Sequence, residues 1–539
     1  MFQKSYMKTI LVLVLCFFMI HPIVLSIENA KPFSLEQSEY NTLKSNVKSN
    51  VMPVEDLDPI DDIKVTVTIN EIRAFDTIDK YSEPDFFVKI IINNEEFTSP
   101  IWKNQKHIND VKWFCQLDVP DDEEFVYVTI QLWDWNIGFN THCDIASNDN
   151  GDANRKDIEL MYSIKTGHWF GDDMVYIPHS WYTDYSGYGR GNGCDDNSIY
   201  EEDNDCEIFF DITQTDYDGD GIPYWTETEV YHTDPTINDK GRDDDNDSIP
   251  IEWEHKWGHM FQYYYDHDSG EYEISHDWMY HPFKFNDHKN LDPDGDSIDN
   301  VEEYLTSQWG SDPFRKDIFV ELDQMQGGPN GEIASKLPEE SKELITKAFH
   351  KQNICFHLDD GTWGQTGSDM IPFDEETDGD WGNSNNELNQ IYQQYFLNNA
   401  PEDWRTGVFH YGVVIYQSSV VNGNAFGTNR YQISANGMEQ KAKLPYPLTG
   451  NRDVVYASAY MHELGHSLGL MWLGGHDEDA YYPWQPLWWK FRPYRSLMNY
   501  GYMYGSYCNL IDYSDGSRGK NDFDDWSNID YGYFEGEFF

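Results

Sequence analysis

Apolar and polar residues alternate from Ile63 onward: VTVTINEIRAF, FFVKIIIN and FVYVTIQLWDWN place apolar side chains at every second position, with Asp, Asn and Gly between the runs. A period of two puts one face of each strand on a core and the other in water, so residues 61–213 are expected to form an antiparallel β-sandwich. The pattern is lost between 214 and 314, where acidic residues dominate, and returns in another form over 315–539. There KDIFVELDQM, ICFHLDD and GVFHYGVVIY read as strands and EESKELITKAFHKQ as an amphipathic helix. VVYASAYMHELGHSLGL reads as a second helix, with Val454, Val455, Ala457, Met461, Leu464 and Leu468 at helical recurrence and Gly469 to stop it. This alternation predicts an α/β or α+β layer domain. With 539 residues, several domains in series are expected.

The N-terminus carries Lys4 and Lys8, the apolar run Ile10 to Ile20, and small or β-branched residues before a plausible cut after Ser26. Residues 1–26 therefore read as a secretory signal, and 27–60 as a polar linker or short pro-segment. No later run approaches the roughly 20 apolar residues of a bilayer span. The expected location is secreted, extracellular or at a cell surface. Against 37 basic residues stand 96 acidic ones, a formal charge of -59, which argues against nucleic acid or an anionic membrane as default partners and in favour of cations. Loss of Cys16 with the signal leaves Cys115, Cys143, Cys194, Cys206, Cys355 and Cys508 in an oxidising compartment, and Cys194 with Cys206, flanking one acidic loop, is the expected local disulfide.

Between 214 and 314 one phrase recurs three times: DYDGDGIPYWTE, DDDNDSIPIEWE and DPDGDSIDNVEE. Each places acids at positions 1, 3 and 5, a small residue at 6, Ile at 7 and Glu at 12. A twelve-residue calcium loop needs three carboxylates from a tight turn, a backbone carbonyl and a distal Glu that closes the shell. The expected ligands are Asp216, Asp218, Asp220 and Glu227; Asp243, Asp245, Asp247 and Glu254; and Asp292, Asp294, Asp296 and Glu303. TDP at Thr233 to Pro235 and SDP at Ser311 to Pro313 trail the first and third copies, and the segment resembles the thrombospondin type 3 repeats, which implies a calcium-binding acidic linker.

In the sandwich, IDKYSEPDFFVKI (Ile78 to Ile90) and LWDWN (Leu132 to Asn136) resemble two calcium loops of a C2-type domain. That resemblance implies calcium ligands at Asp79, Asp85, Asp134 and Asn136, with Asp144 a further candidate, and contact with a membrane surface. Asn136 stands where the family has an acid.

His462 and His466 fall one turn apart on one helix face, where both imidazoles can meet a single zinc ion, and Glu463 sits beside them. Zinc lowers the pKa of a bound water towards about 7, and a neighbouring carboxylate can take its proton and return it to a leaving amine. Downstream, SLMNYGYM (Ser496 to Met503) follows HELGHSLGL, and the pair resembles the catalytic helix and Met-turn of the metzincin metallopeptidases. The resemblance implies that Met498 packs beneath the metal and that Tyr500 approaches it or steadies the oxyanion. It also implies a third ligand at the position held by Trp472, which cannot ligate zinc. His476 and Asp477, after Gly474 and Gly475, are the two alternatives. The expected function is a secreted, calcium-stabilised zinc endopeptidase acting on proteins or peptides. The alternative is a calcium-dependent adhesion or surface-binding protein with an inactive peptidase-like domain.

Overall fold

The computed structural model describes residues 57–534 apart from 59, 147–154, 174–182, 185–188, 196–203, 267–270, 364–369, 381–382, 401–403, 472–473 and 477. The expected signal, nearly all of the expected linker or pro-segment, Trp472 and Asp477 lie outside the described residues.

Alternation in the first region becomes two antiparallel sheets. In one, Lys64–Ala74 pairs with Cys206–Gln214 on one side and with His107–Ile108 and Trp113–Asp118 on the other. In the second the order is Glu95–Thr98, Phe86–Ile92, Phe125–Asp134, Ile158–Ser163 and His168–Gly171. The inward positions Val65, Val67, Ile69, Val88, Ile90, Val128 and Ile130 are fully buried in one shared core. At about 1.5–3 kcal/mol for each such side chain, this core is ample for a unit of that size.

The acidic segment is more than the expected linker. Each loop feeds a short helical turn, Thr226–Tyr231, Ile251–Trp257 or Asn300–Thr306, and between the second and third loops an antiparallel hairpin, His259–Asp266 with Glu271–Trp278, pairs with Thr183–Asp184. The isoleucines at loop position 7 supply the reason: Ile222, Ile249 and Ile298 are 1%, 0% and 3% exposed; the first two anchor small apolar clusters containing Tyr231, Trp253, Trp257, Tyr280 and Phe314, and Ile298 joins a core of the third region with Phe319 and Phe409. Periodicity in the acids hid this core from the sequence reading.

The third region is an α/β layer. Its sheet runs Cys355–Asp359, Asp317–Met325, Phe409–Ile415, Arg430–Ser434, all parallel, and ends in the antiparallel edge strand Gly423–Ala425. Helices Glu339–His350 and Arg452–Ser467 join its core on one face, through Ile345, Phe349, Val455, Met461 and Leu464. Leu388, Tyr392 and Phe396 cover the other. A parallel strand covered on both faces is wholly buried, as Asp317–Met325 is, and its acids are paired internally: Arg405 donates to Glu321 at 2.6 Å and the Tyr411 hydroxyl to Asp323 at 2.6 Å.

Ionic contacts seat the sandwich on this layer. Arg73 donates to Glu71, Glu207 and Glu343 at 2.7, 2.8 and 2.5 Å, and His107 lies 2.8 Å from Glu71 and 3.0 Å from Glu343. Arg190 donates to Glu207 at 2.7 Å and to the carbonyl of His350 at 2.8 Å. Among the described residues no disulfide joins the cysteines: the expected Cys194–Cys206 pair is not formed, the Cys194 thiol donating to Asp205 at 3.4 Å while Cys206 lies against Cys143.

Candidate metal centres

Helix Arg452–Ser467 starts at Asn451, whose side chain accepts from the Val454 amide at 2.9 Å, and ends where Leu468 and Leu470 return their amides to Gly465. Its last two turns are entirely buried, so His462, Glu463 and His466 are 2%, 5% and 9% exposed. Both ring Nδ1 atoms donate to backbone carbonyls, His462 to Leu497 at 2.7 Å and His466 to Leu470 at 2.9 Å. A carbonyl can only accept, so the proton sits on Nδ1 and the lone pair on each Nε2.

His476 completes the pocket. Its Nε2 stands 3.1 Å from that of His466 and 3.3 Å from that of His462. Two nitrogens each bound at about 2.05 Å to a tetrahedral zinc stand ~3.3 Å apart, so the three residues fit such an ion. Of the two residues that the sequence left open, His476 lies with His462 and His466, and Asp477 is outside the described residues. The loop returns it through Gly475, whose φ of +91° and close approach to the Asn499 side chain leave no room for a Cβ. Burial, then repulsion from His466 and His476, pushes His462 well below the ordinary imidazole range; burial with repulsion from His476 brings His466 to about 4. Such rings stay neutral, the form a metal takes.

Glu463 points from the same turn toward the sheet edge. It accepts from the Ala425 amide, a Cβ on Gly423 would lie 2.6 Å from its Oε1, and burial raises its carboxyl to about 8. Met498 packs under the helix at Gly465, where a Cβ would meet its Sδ at 2.6 Å. The turn around it is pinned: Ser496 Oγ accepts from the Met498 amide at 3.0 Å, and Asn499 donates to the carbonyls of Phe491 and Tyr494 at 3.0 and 2.8 Å. The Tyr500 ring packs 4.3 Å from His476 and 5.7 Å from His462, centroid to centroid, and Tyr481, which the sequence reading did not single out, stacks on it at 4.8 Å.

The three acidic loops repeat one geometry. The position-1 carboxylate gathers loop amides: Asp216 accepts from Gly219 and Gly221, Asp243 from Asn246 and Ser248, and Asp292 from Gly295 and Ser297. At position 3, both oxygens of Asp218 and of Asp245 and one of Asp294 are buried without a hydrogen-bond partner, as are one oxygen of Glu254 and both of Glu303 at position 12. Orphaned buried carboxylate oxygens are what a calcium ion would satisfy. Burial and then the neighbouring acids raise Glu227 to about 8, Glu254 to about 9, and Asp218 and Asp245 to about 6.

The loops share a further device that no spacing in the sequence marks. The position-5 acids Asp220, Asp247 and Asp296 accept from the distant amides of Asp239, Asn286 and Asp317 at 3.0, 3.1 and 2.7 Å. Each loop is thereby tied to chain 19, 39 or 21 residues further on, the third to the first strand of the α/β layer. His288 also joins the second loop, 3.3 Å from Asp247 and 3.6 Å from Glu254.

At the sandwich end, Asp134 is fully buried and accepts from the Asp85 amide at 2.7 Å. Asp79 and Asp85 are close enough to raise its pKa further after burial has done so. Asn136 donates its amide to Asp134 at 2.6 Å instead of offering an oxygen beside it, and Asp144 is committed elsewhere, 3.5 Å from Lys156.

No protein-family model matches the sequence, and no curated protein matches it. Among solved structures, one described as a C2 domain matches at 8% identity and a TM-score of 0.18, covering 28% of this chain and 98% of that one. A C2 domain of plant extended synaptotagmin 1 matches at 12% and 0.17, over 28% and 95%, and a C2 domain protein from Ramazzottius varieornatus at 9% and 0.18, over 28% and 87%.

Proposed function

We propose that this chain is a secreted zinc-dependent endopeptidase of the metzincin type, stabilised by calcium, that hydrolyses proteins or peptides outside the cell. The observation that carries the reading is the convergence of the three imidazoles of His462, His466 and His476 with a buried Glu463 beside the edge strand Gly423–Ala425. His462, His466 and His476 would hold the zinc, which supplies Lewis acidity to a carbonyl and to water. Glu463, whose carboxyl burial raises to about 8, would take the proton from the attacking water and pass it to the leaving amine. Gly423–Ala425 is an edge strand lying against Glu463, and an extended peptide added to that edge would bring its carbonyls over the pocket. Tyr500, held against His476, would steady the developing oxyanion.

The alternative, an adhesion protein with an inactive domain, shares every feature except proton transfer. Glu463→Ala separates them. Peptide hydrolysis falls by about 10²–10⁴-fold while stoichiometric zinc is retained; a wild-type chain that binds zinc yet hydrolyses no peptide would sink the peptidase reading.

A second reading concerns the sandwich. Tyr81, Ile137 and Phe139 are 92%, 95% and 93% exposed on the loops that carry Asp79 and Asp134. Apolar tips beside acidic residues support calcium-assisted contact with an anionic membrane surface. Co-sedimentation with phosphatidylserine vesicles in calcium, abolished by Ile137→Glu with Phe139→Glu, is the expected result.

A further inference from the structure

A second set of histidines lies outside the peptidase pocket, where the sandwich meets the acidic repeats. His168 opens the sandwich strand His168–Gly171, His255 lies in the last turn of the helix that follows the second loop, and His259 starts the hairpin. They are 4%, 3% and 0% exposed, and each offers a nitrogen within 4.8 Å of the others. His259 Nε2 stands 3.4 Å from His255 Nδ1, the spacing of two nitrogens on one tetrahedral ion, ~3.3 Å. The other nitrogen of His259 is 2.7 Å from His276 Nε2, so His276 orients the ring as the Leu497 carbonyl orients His462.

Hydrogen bonding alone leaves this cluster unsatisfied. Three buried imidazoles packed against one another and against His276 disfavour the charged form. A neutral His168 can donate to only one of the two carbonyls it touches, Thr166 at 2.8 Å and Lys256 at 2.9 Å, which leaves a ring lone pair facing a carbonyl oxygen. His255 Nδ1 has the Tyr231 hydroxyl at 3.0 Å, and its buried Nε2 has no hydrogen-bond partner. His255 packs edge-on against His168 and His259, with centroids 4.9 and 4.8 Å apart, as His466 packs on His462 and His476 at 4.8 and 5.0 Å, while His168 stacks closer on His259, at 3.6 Å, than His462 does on His476, at 5.2 Å.

We propose that His168, His255 and His259, oriented by His276, form a second transition-metal site whose structural cation staples the sandwich to the second acidic loop. Three imidazoles without a carboxylate select zinc and its borderline neighbours over calcium. His255 directly follows Glu254, the position-12 residue of the second loop, so one helix walls both cation sites. The site performs no chemistry, and its existence does not depend on the peptidase reading.

The test is metal content of the full-length mature chain, dialysed in calcium, loaded with Zn²⁺ and separately with Co²⁺, and read by mass spectrometry and by visible d–d absorption. Wild type is expected to hold two equivalents, H462A/H466A one, and H255Q/H259Q one with peptide hydrolysis within two-fold of wild type. Should H255Q/H259Q misfold, the H462A/H466A chain alone decides, by retaining one equivalent with a tetrahedral Co²⁺ spectrum. The proposal is overturned if H462A/H466A holds no metal, or if H255Q/H259Q keeps as much as wild type. One equivalent in wild type that only H255Q/H259Q loses would uphold this site and remove the pocket zinc.

Discussion

The histidine pocket and the acidic loops are both clusters of like groups withdrawn from water, and their ionisations are displaced in opposite directions. His466 is pushed down to about 4, while Glu227 and Glu254 are pushed up to about 8 and 9. In both cases burial and then like neighbours oppose the charged form. The outcome differs because a histidine discards its charge and becomes a ligand, whereas a carboxyl keeps a proton and must lose it to become one. The pocket would therefore take a borderline metal near neutral pH, and the loops would take a hard cation only in competition with protons. Reach differs as well. A loop draws nearly all its ligands from twelve consecutive residues, but the pocket needs His476, ten residues beyond His466 on a separate turn.

The strongest way to break the comparison is to remove that returning ligand. His476→Ala should lower zinc affinity by more than the ~100-fold that loss of a merely orienting partner costs, and hydrolysis should fall with it. Equilibrium dialysis against a zinc buffer measures the first; undiminished affinity would transfer the third position to another residue. Calcium removal should come next in size. With their counter-ions gone, the loop acids repel one another, and residues 214–314 should become cleavable by an added protease while the sandwich core survives. Limited proteolysis with and without chelator reads this directly, and an unchanged fragment pattern would mean that the Ile222, Ile249 and Ile298 clusters hold the segment without metal.

These differences of reach also decide what could be read in advance. The loop acids were legible because a turn of fixed length fixes all of them, and His462 with His466 because a helix of period 3.6 does the same. The sandwich was legible from strict alternation in Lys64–Ala74 and Phe125–Asp134. What stayed hidden was joined by tertiary contact: the ties from Asp220, Asp247 and Asp296 to amides far along the chain, and the meeting of His168 with His255 and His259. His255 and His259 did stand four apart in the sequence, but the helix ends at Trp257, so helical spacing was no guide to their contact.

Gly465→Ala tests how closely the pocket depends on its floor. The added methyl would meet Met498 Sδ at 2.6 Å and the Tyr513 hydroxyl at 2.9 Å, and overpacking of this kind costs about 1–3 kcal/mol. A lowered unfolding midpoint with weakened zinc binding is expected; a fall in stability with zinc affinity intact would separate the Met-turn from the metal.

The smallest effect sharpens the comparison most, because Glu71, Glu207 and Glu343 form an acidic cluster for which the protein supplies its own cation. Burial opposes ionisation of Glu343 as it does in the loops, but the His107 hydrogen bond and the Arg73 charge outweigh it and hold the carboxyl at about 2. Burial likewise opposes the charged His107 ring, and its bonds to Glu343 and Glu71 raise it to about 9. A histidine raised in the folded state contributes stability that is complete below its unfolded pKa of about 6.5 and is lost as pH rises through 9; the lowered Glu343 contributes above about 4.5 and fades as pH falls toward 2. Replacing His107 by Gln should therefore cost most between pH 5 and 6.5, by about 1 kcal/mol after discounting for a ring one-quarter exposed, and nothing above pH 9. Urea unfolding of both chains across that range, in calcium throughout, reads the difference. A gap that does not close with rising pH would mean that His107 acts by packing, and that Arg73 alone keeps these acids ionised.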